Sequence, residues 1–183
     1  TMVIDGARAV CAQANICLAG GHSIDALEPI FGLAVTGRVE LEHLQRNDQA
    51  QAGDRLMLTK PLGIGILTTA EKRGILRPAD VNLARDSMVK LNDIGAKLAP
   101  LTGVHAMTDV TGFGLMGHLV EVCEGSQLQA LIEFDKVLLL TDLQHYLNQD
   151  CVPGGSARNF ASYSHKLGTL TEEQLNILCD PQT

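Results

Sequence analysis

At 183 residues the chain can bury a real core, and its length allows one domain or one and a half. A formal charge of -7 with no lysine or arginine run argues against a nucleic-acid surface, whose footprint is a clustered basic patch. Five cysteines, an odd number without a CxxC pair, argue against a disulfide frame or a zinc site and fit reduced thiols in the cytoplasm. No uninterrupted apolar run reaches about 18 residues and no charged leader precedes an apolar stretch, so neither a membrane span nor a signal peptide is expected.

Val3, Ala7, Val10, Cys11 and Ala14 recur at helical spacing, which predicts one helix over residues 2–15 with its apolar face turned inward. Ile16 to Ala19 reads as a short buried strand broken by Gly20 and Gly21, and residues 29–36 read as a second strand beyond a polar turn. The polar stretch from Glu40 to Asp54, with Asn47, Asp48 and Gly53, is the best domain junction, dividing the chain into residues 1–48 and 49–183. A strand over 56–59 and a turn at Lys60 to Gly63 then lead into a short helix from Ile64 to Lys72, ended by Gly74. Ala84, Met88, Leu91 and Leu98 predict a longer helix over 80–99 with Asp80 as its cap. Strand, glycine turn and helix are expected across 104–124, followed by a strand around 130–134 and a helix around 141–149. Cys151 to Asn159, rich in turn formers, is expected to be irregular, and Thr171 with Gln174 forms a capping box that opens the last helix. Strands and helices alternating in this order indicate α/β or α+β layers.

The stretch with most chemical content is Met107 to Leu119. Asp109 follows an apolar run as a hard oxygen ligand of the kind magnesium takes beside substrate phosphates. Gly112, Gly114 and Gly117 permit close backbone approaches, and Leu115, Leu119, Val122 and Cys123 fall at helical spacing. The glycines thus sit near a helix start, where free N–H groups attract anions. Two readings stay open at this point, a metal and phosphate site or a tight turn with packing glycines.

Elsewhere the signals are weaker. His22, Ser23 and Asp25 share a glycine-flanked turn, suited to ligand contact or to bonds within the turn itself. Lys60 beside Gly63 and Gly65 offers a phosphate contact or a solvated turn, and Arg158 with Asn159 offers an anion site or a loop that satisfies its own backbone. His43, His105, His145 and His165 have no partner at metal-ligand or triad spacing and read as structural or exposed.

Six segments together carry a family resemblance: residues 20–26 (Gly-Gly-His-Ser-Ile-Asp-Ala), 29–37, 58–65 (Leu-Thr-Lys-Pro-Leu-Gly-Ile-Gly), 107–119, 152–163 (from Val-Pro-Gly-Gly-Ser-Ala-Arg-Asn) and 179–183 (Cys-Asp-Pro-Gln-Thr). In order and without large gaps, they closely resemble the selenophosphate synthetase (selenide, water dikinase) family. Ser156 stands where that family usually has threonine, which keeps the hydroxyl.

The resemblance implies an ATP-dependent, Mg2+-requiring enzyme that makes selenophosphate from selenide and releases AMP and orthophosphate, supplying selenocysteine and seleno-tRNA synthesis. It implies an α+β chain of the aminoimidazole ribonucleotide synthetase-like superfamily. Residues 1–48 would be the end of an N-terminal, ATP-binding domain that forms a dimer barrel, and 49–183 an incomplete C-terminal α+β domain. Asp109 is implied as a magnesium ligand, and Gly21, His22 and Ser23 as a nucleotide contact lent across a homodimer interface. The family's catalytic cysteine or selenocysteine and its lysine would lie upstream of Thr1, so none of the five cysteines is taken as a nucleophile and these 183 residues alone are expected to be inactive. ATP, selenide and a second copy are the implied partners, with neither nucleic acid nor membrane, and the cytoplasm is the expected address. A non-catalytic paralogue, a dimerising scaffold or another ATP-dependent member of the superfamily is the alternative.

Overall fold

In a computed structural model that describes residues 2–182, the first residues take the helical form that their spacing predicts, with α1 spanning Met2–Gln13. The chain divides into two units, Thr1–Leu44 and Gln45–Thr183. Within the first, α1 buries Ala7 and Cys11 but leaves Val3 59 % and Val10 39 % exposed, so only part of the expected apolar face is covered. After it, residues 16–40 contain no helix, and a single 3-10 turn, Leu41–His43, closes the unit.

The second unit is built around α2, Ile64–Lys72, which lies where the sequence predicts it and stops at Gly74 with φ +70°. Ile64, Gly65, Ile66, Leu67 and Ala70 of this helix are buried. They meet Leu62, Leu143, Tyr146, Cys151, Ile177 and Leu178 in one apolar core. Helix α3 (Leu83–Val89) and α6 (Gln144–Leu147) pack on α2, while α5 (Gly114–Ser126), α7 (Gly154–Tyr163) and α8 (Glu172–Leu178) pack on one another. The predicted capping box is present: Gln174 N donates to Thr171 Oγ1 at 3.2 Å and Thr171 N to Gln174 Oε1 at 2.9 Å. No described helix is long and apolar enough to cross a membrane.

Three local expectations give way to tertiary contacts. The long helix over 80–99 is instead α3 and a separate α4, Ile94–Leu98. Lys60 Nζ donates to Ser87 O at 3.0 Å and to Lys90 O at 2.5 Å, so the carbonyls at the end of α3 turn to a cation rather than to a further helical turn. Asp80 does not cap a helix; it is buried, accepting hydrogen bonds from Arg77 Nε and the Tyr146 hydroxyl, with the Arg77 guanidinium over the Tyr146 ring. Burial by itself would raise the Asp80 carboxyl, and these donors outweigh it, holding the group below its usual range. The stretch from Cys151 to Asn159, expected to be irregular, instead opens α7, Gly154–Tyr163, in which Gly155 packs so closely on Pro181 that a Cβ would lie 2.6 Å from Pro181 Cγ. The helix predicted around 141–149 is only the short α6.

The segments predicted as strands at 16–19, 29–36, 56–59, 104–107 and 130–134 carry no ladder among the described residues. Strand pairing there is a single parallel bridge between Leu62 and Leu139, in which Leu62 N donates to Leu138 O and Leu140 N to Leu62 O. A strand exists only when its backbone groups find a neighbouring chain segment. Apolar composition alone leaves Ile30 71 %, Val35 75 % and Leu131 88 % exposed.

Asp180 joins the end of the chain to α2. Its carboxylate, fully buried, accepts from Gly65 N at 2.9 Å, Ile66 N at 3.3 Å and Gln182 N at 2.9 Å. Gly65 and Ile66 belong to the first turn of α2, whose N–H groups have no intrahelical acceptor, so Asp180 does from a distance what an N-cap does locally. Only glycine allows the approach, since a Cβ on residue 65 would stand 2.0 Å from Asp180 Oδ1. Gly65→Ala is expected to cost about 3 kcal/mol in urea unfolding. Gly168→Ala, at a position with nothing within 4 Å of an added Cβ, should stay within about 0.5 kcal/mol of the parent.

Burial pushes the Asp180 carboxyl up to about 6 against the pull of its three backbone donors. A carboxyl raised in the fold favours the protonated native state, so its contribution is present at low pH and is lost as pH rises through the folded value. Stability should therefore increase by about 1 kcal/mol between pH 7 and pH 5. Asp180→Asn should flatten that rise; an equal slope in both proteins would assign the pH dependence to other groups.

Candidate functional site

The 107–119 stretch folds as a turn leading into α5. Gly114 N donates to Thr111 O at 2.9 Å, and Gly114 itself has φ +71°, a conformation that costs glycine no Cβ clash. A Cβ there would also lie 2.9 Å from Asp180 O, so the first residue of α5 rests directly on the 179–180 backbone. The turn is tied down from α7. Asn159 Nδ2 donates to Gly112 O at 2.9 Å and to Cys179 O at 3.1 Å, and the Tyr163 hydroxyl donates to Phe113 O at 2.7 Å. Asn159 and Tyr163 are four residues apart and so share one face of their helix. Burial pushes the Tyr163 hydroxyl far above its ordinary range, which keeps it protonated and donating. On the α5 side, Thr111 Oγ1 and His118 Nε2 share a hydrogen bond of 3.0 Å.

Asp109 stands two residues before this tied turn. Its side chain is exposed and its carboxylate has no hydrogen bond or ion pair among the described residues, while Thr108 Oγ1 reaches only its backbone oxygen, at 3.4 Å. An exposed carboxylate at the approach to the N-terminus of the 13-residue α5 fits one hard-oxygen position around a magnesium ion that also contacts phosphate. Among the described residues no group of three His, Cys, Asp or Glu side chains is placed to hold a metal together, so the donor set fits that single position.

Gly21, His22 and Ser23 lie in the first unit, all exposed, in the stretch without helix, and Gly21 has nothing within 4 Å of where a Cβ would be. The Lys60 ammonium is spent on the end of α3, which answers the choice between phosphate contact and solvated turn with neither. Asn159 serves the backbone of residues 112 and 179, whereas Arg158 is exposed. His105 pairs with Asp54 at 2.8 Å. Cys11, Cys151 and Cys179 are buried, and burial pushes the Cys123 and Cys179 thiols up, away from nucleophile behaviour. Sequence reasoning did not single out Tyr163 or Asp180. The i, i+4 spacing of Asn159 and Tyr163 was a usable signal only once 154–163 was known to be a helix.

Comparison with known proteins bears on this arrangement. The family described as AIR synthase related protein, C-terminal domain, matches residues 51–182. Similar curated proteins include the selenide, water dikinases of Aeromonas salmonicida (62 % identical over 99 % of this chain and 52 % of the relative) and Bordetella bronchiseptica (61 %, 99 % and 53 %). The selenide, water dikinase of Haemophilus influenzae strain 86-028NP is 59 % identical over 99 % of this chain and 52 % of its own length. The chain thus spans about half the length of the curated relatives it matches. The match agrees with an α+β class in which this portion is mostly helical with little strand. With its glycine turn, α5, α7 and the Asp180 anchor all inside the matched residues, the chain belongs to the AIR synthase-related protein family and carries that family's C-terminal domain over residues 51–182.

Proposed function

We propose that this chain is part of a selenide, water dikinase, in which Asp109 supplies a carboxylate to a magnesium ion that engages ATP. The observation that carries the reading is the exposed Asp109 carboxylate, unpaired among the described residues and held just ahead of a fixed glycine turn, in a chain whose relatives of that name match it along almost all of its length. The reaction consumes ATP, selenide and water and yields selenophosphate, AMP and orthophosphate. Residues 1–48 belong to the ATP-binding domain and 49–183 to the C-terminal domain. Gly21, His22 and Ser23 contact the nucleotide bound by a second copy, in a cytoplasmic homodimer.

Magnesium, when bound, offsets negative charge on the phosphates during transfer. What this chain contributes is positional. Phosphoryl transfer relies on fixed placement of charge. The turn from Thr111 to Gly114 cannot drift while Asn159 and Tyr163 hold its carbonyls. Asp109 thereby enters the site from a stationary base, with its carboxylate left for the cation. The bulk of α5 closes the turn from behind, with Leu119 and His118 buried.

In the full-length protein that contains this chain, Asp109→Ala should abolish selenide-dependent formation of AMP from ATP. Near-normal turnover by that variant would remove Asp109 as a ligand, and a parent protein that releases no AMP when given selenide, ATP and Mg2+ would remove the activity itself.

A further inference from the structure

We infer that Asn159 and Tyr163 are positioning residues for the metal ligand, a two-point clamp on α7 that sets where Asp109 sits; this rests on the reading of Asp109 given above. The observation is that two consecutive carbonyls of the glycine turn, those of Gly112 and Phe113, are each held by a different α7 side chain, at 2.9 and 2.7 Å. The same Asn159 amide reaches Cys179 O at 3.1 Å, so the turn is fixed against the 179–180 segment as well as against α7. That segment is itself anchored to α2 through the Asp180 carboxylate.

The choice of side chains matters physically. A carbonyl accepts and cannot donate, so both clamps must be donors. The asparagine amide has two N–H groups on one nitrogen and can serve two carbonyls at once. Tyr163 combines its donor with a ring that packs against Gly117, where a Cβ would lie 2.9 Å from Tyr163 Cε1. Each hydrogen bond fixes a backbone peptide rather than a side chain, and fixing the peptides at 112 and 113 restricts the chain leading back to Asp109. Outer partners that orient a ligand in this way commonly weaken metal affinity by about 10- to 100-fold when removed.

The test uses the full-length protein containing this chain, with Mn2+ as the probe, its binding followed by the loss of the free-ion EPR signal without added nucleotide. Asn159→Ala and Tyr163→Phe are compared with Asp109→Asn and with Ser162→Ala, whose hydroxyl merely donates to Asn159 O on the exposed side of α7. The expected result is Mn2+ affinity weakened about tenfold in the two clamp variants, lost in Asp109→Asn and unchanged in Ser162→Ala. Activity of the clamp variants should return toward the parent rate as Mg2+ is raised. Hydrogen exchange should accelerate in residues 107–114 while α2 and α8 keep their protection. If Asp109→Asn loses Mn2+ and both clamp variants bind it as the parent does, the clamp is overturned and the ligand assignment stands. If Asp109→Asn binds Mn2+ normally, the ligand assignment falls and the clamp with it. Faster exchange spread across α2 and α8 would make Asn159 and Tyr163 general packing residues and would also overturn the inference.

Discussion

The second unit depends on one buried carboxylate. Asp180 takes the N–H groups of Gly65 and Ile66 that α2 cannot satisfy within itself, and in doing so it brings the 179–182 segment onto the most buried helix of the unit. An unpartnered buried N–H costs about 1–3 kcal/mol, so two of them at one helix start are a substantial liability. Meeting that liability with a charged group adds the cost of burying the charge, visible in the raised Asp180 carboxyl. The interaction is therefore more valuable for fixing an arrangement than for raising stability, in the way that buried polar contacts can specify register.

What the arrangement fixes is the backbone around residue 180. Gly114 rests on Asp180 O, Asn159 donates to Cys179 O, and Gly155 packs on Pro181. The beginnings of α2, α5 and α7 consequently converge on three consecutive residues, Cys179 to Pro181. Three separate glycine-containing segments of the sequence, around 63–65, 112–117 and 154–155, each supply a glycine to this convergence.

That convergence also explains which parts of the fold were legible in sequence. Helix α2 with its Gly74 stop, the start of α5 and the Thr171–Gln174 capping box are set by residues a few positions apart, and each lies where local pattern places it. Helix α7 was not legible, because its two leading glycines disfavour a helix locally and the compensating contacts come from Pro181, Gly112 and Cys179. The break between α3 and α4 depends on Lys60, about thirty residues away, and Asp80 was misread as a cap because its partners Arg77 and Tyr146 meet only in space. The strand expectations rested on apolar composition, which is a property of a segment, whereas a strand is a property of a pair. In the candidate site, the chemical prominence of Asp109 could be read from its place before the glycines; the residues that hold the turn could not.

The turn's tightly held backbone and the unpaired side chain ahead of it are two sides of one constraint. A carboxylate satisfied by protein donors would be well ordered but poorly available to a cation, because binding would first have to break those bonds. A carboxylate on a loose loop would be available but would lose conformational entropy on binding, at about 1–2 kcal/mol for each backbone residue fixed. Tying the peptides at Gly112 and Phe113 while leaving the Asp109 carboxylate without a partner among the described residues avoids both costs. The entropy of ordering the turn is met during folding, by α7 and the 179–180 segment. In the proposed role of Asp109 as a metal ligand, its binding energy is then left for the ion.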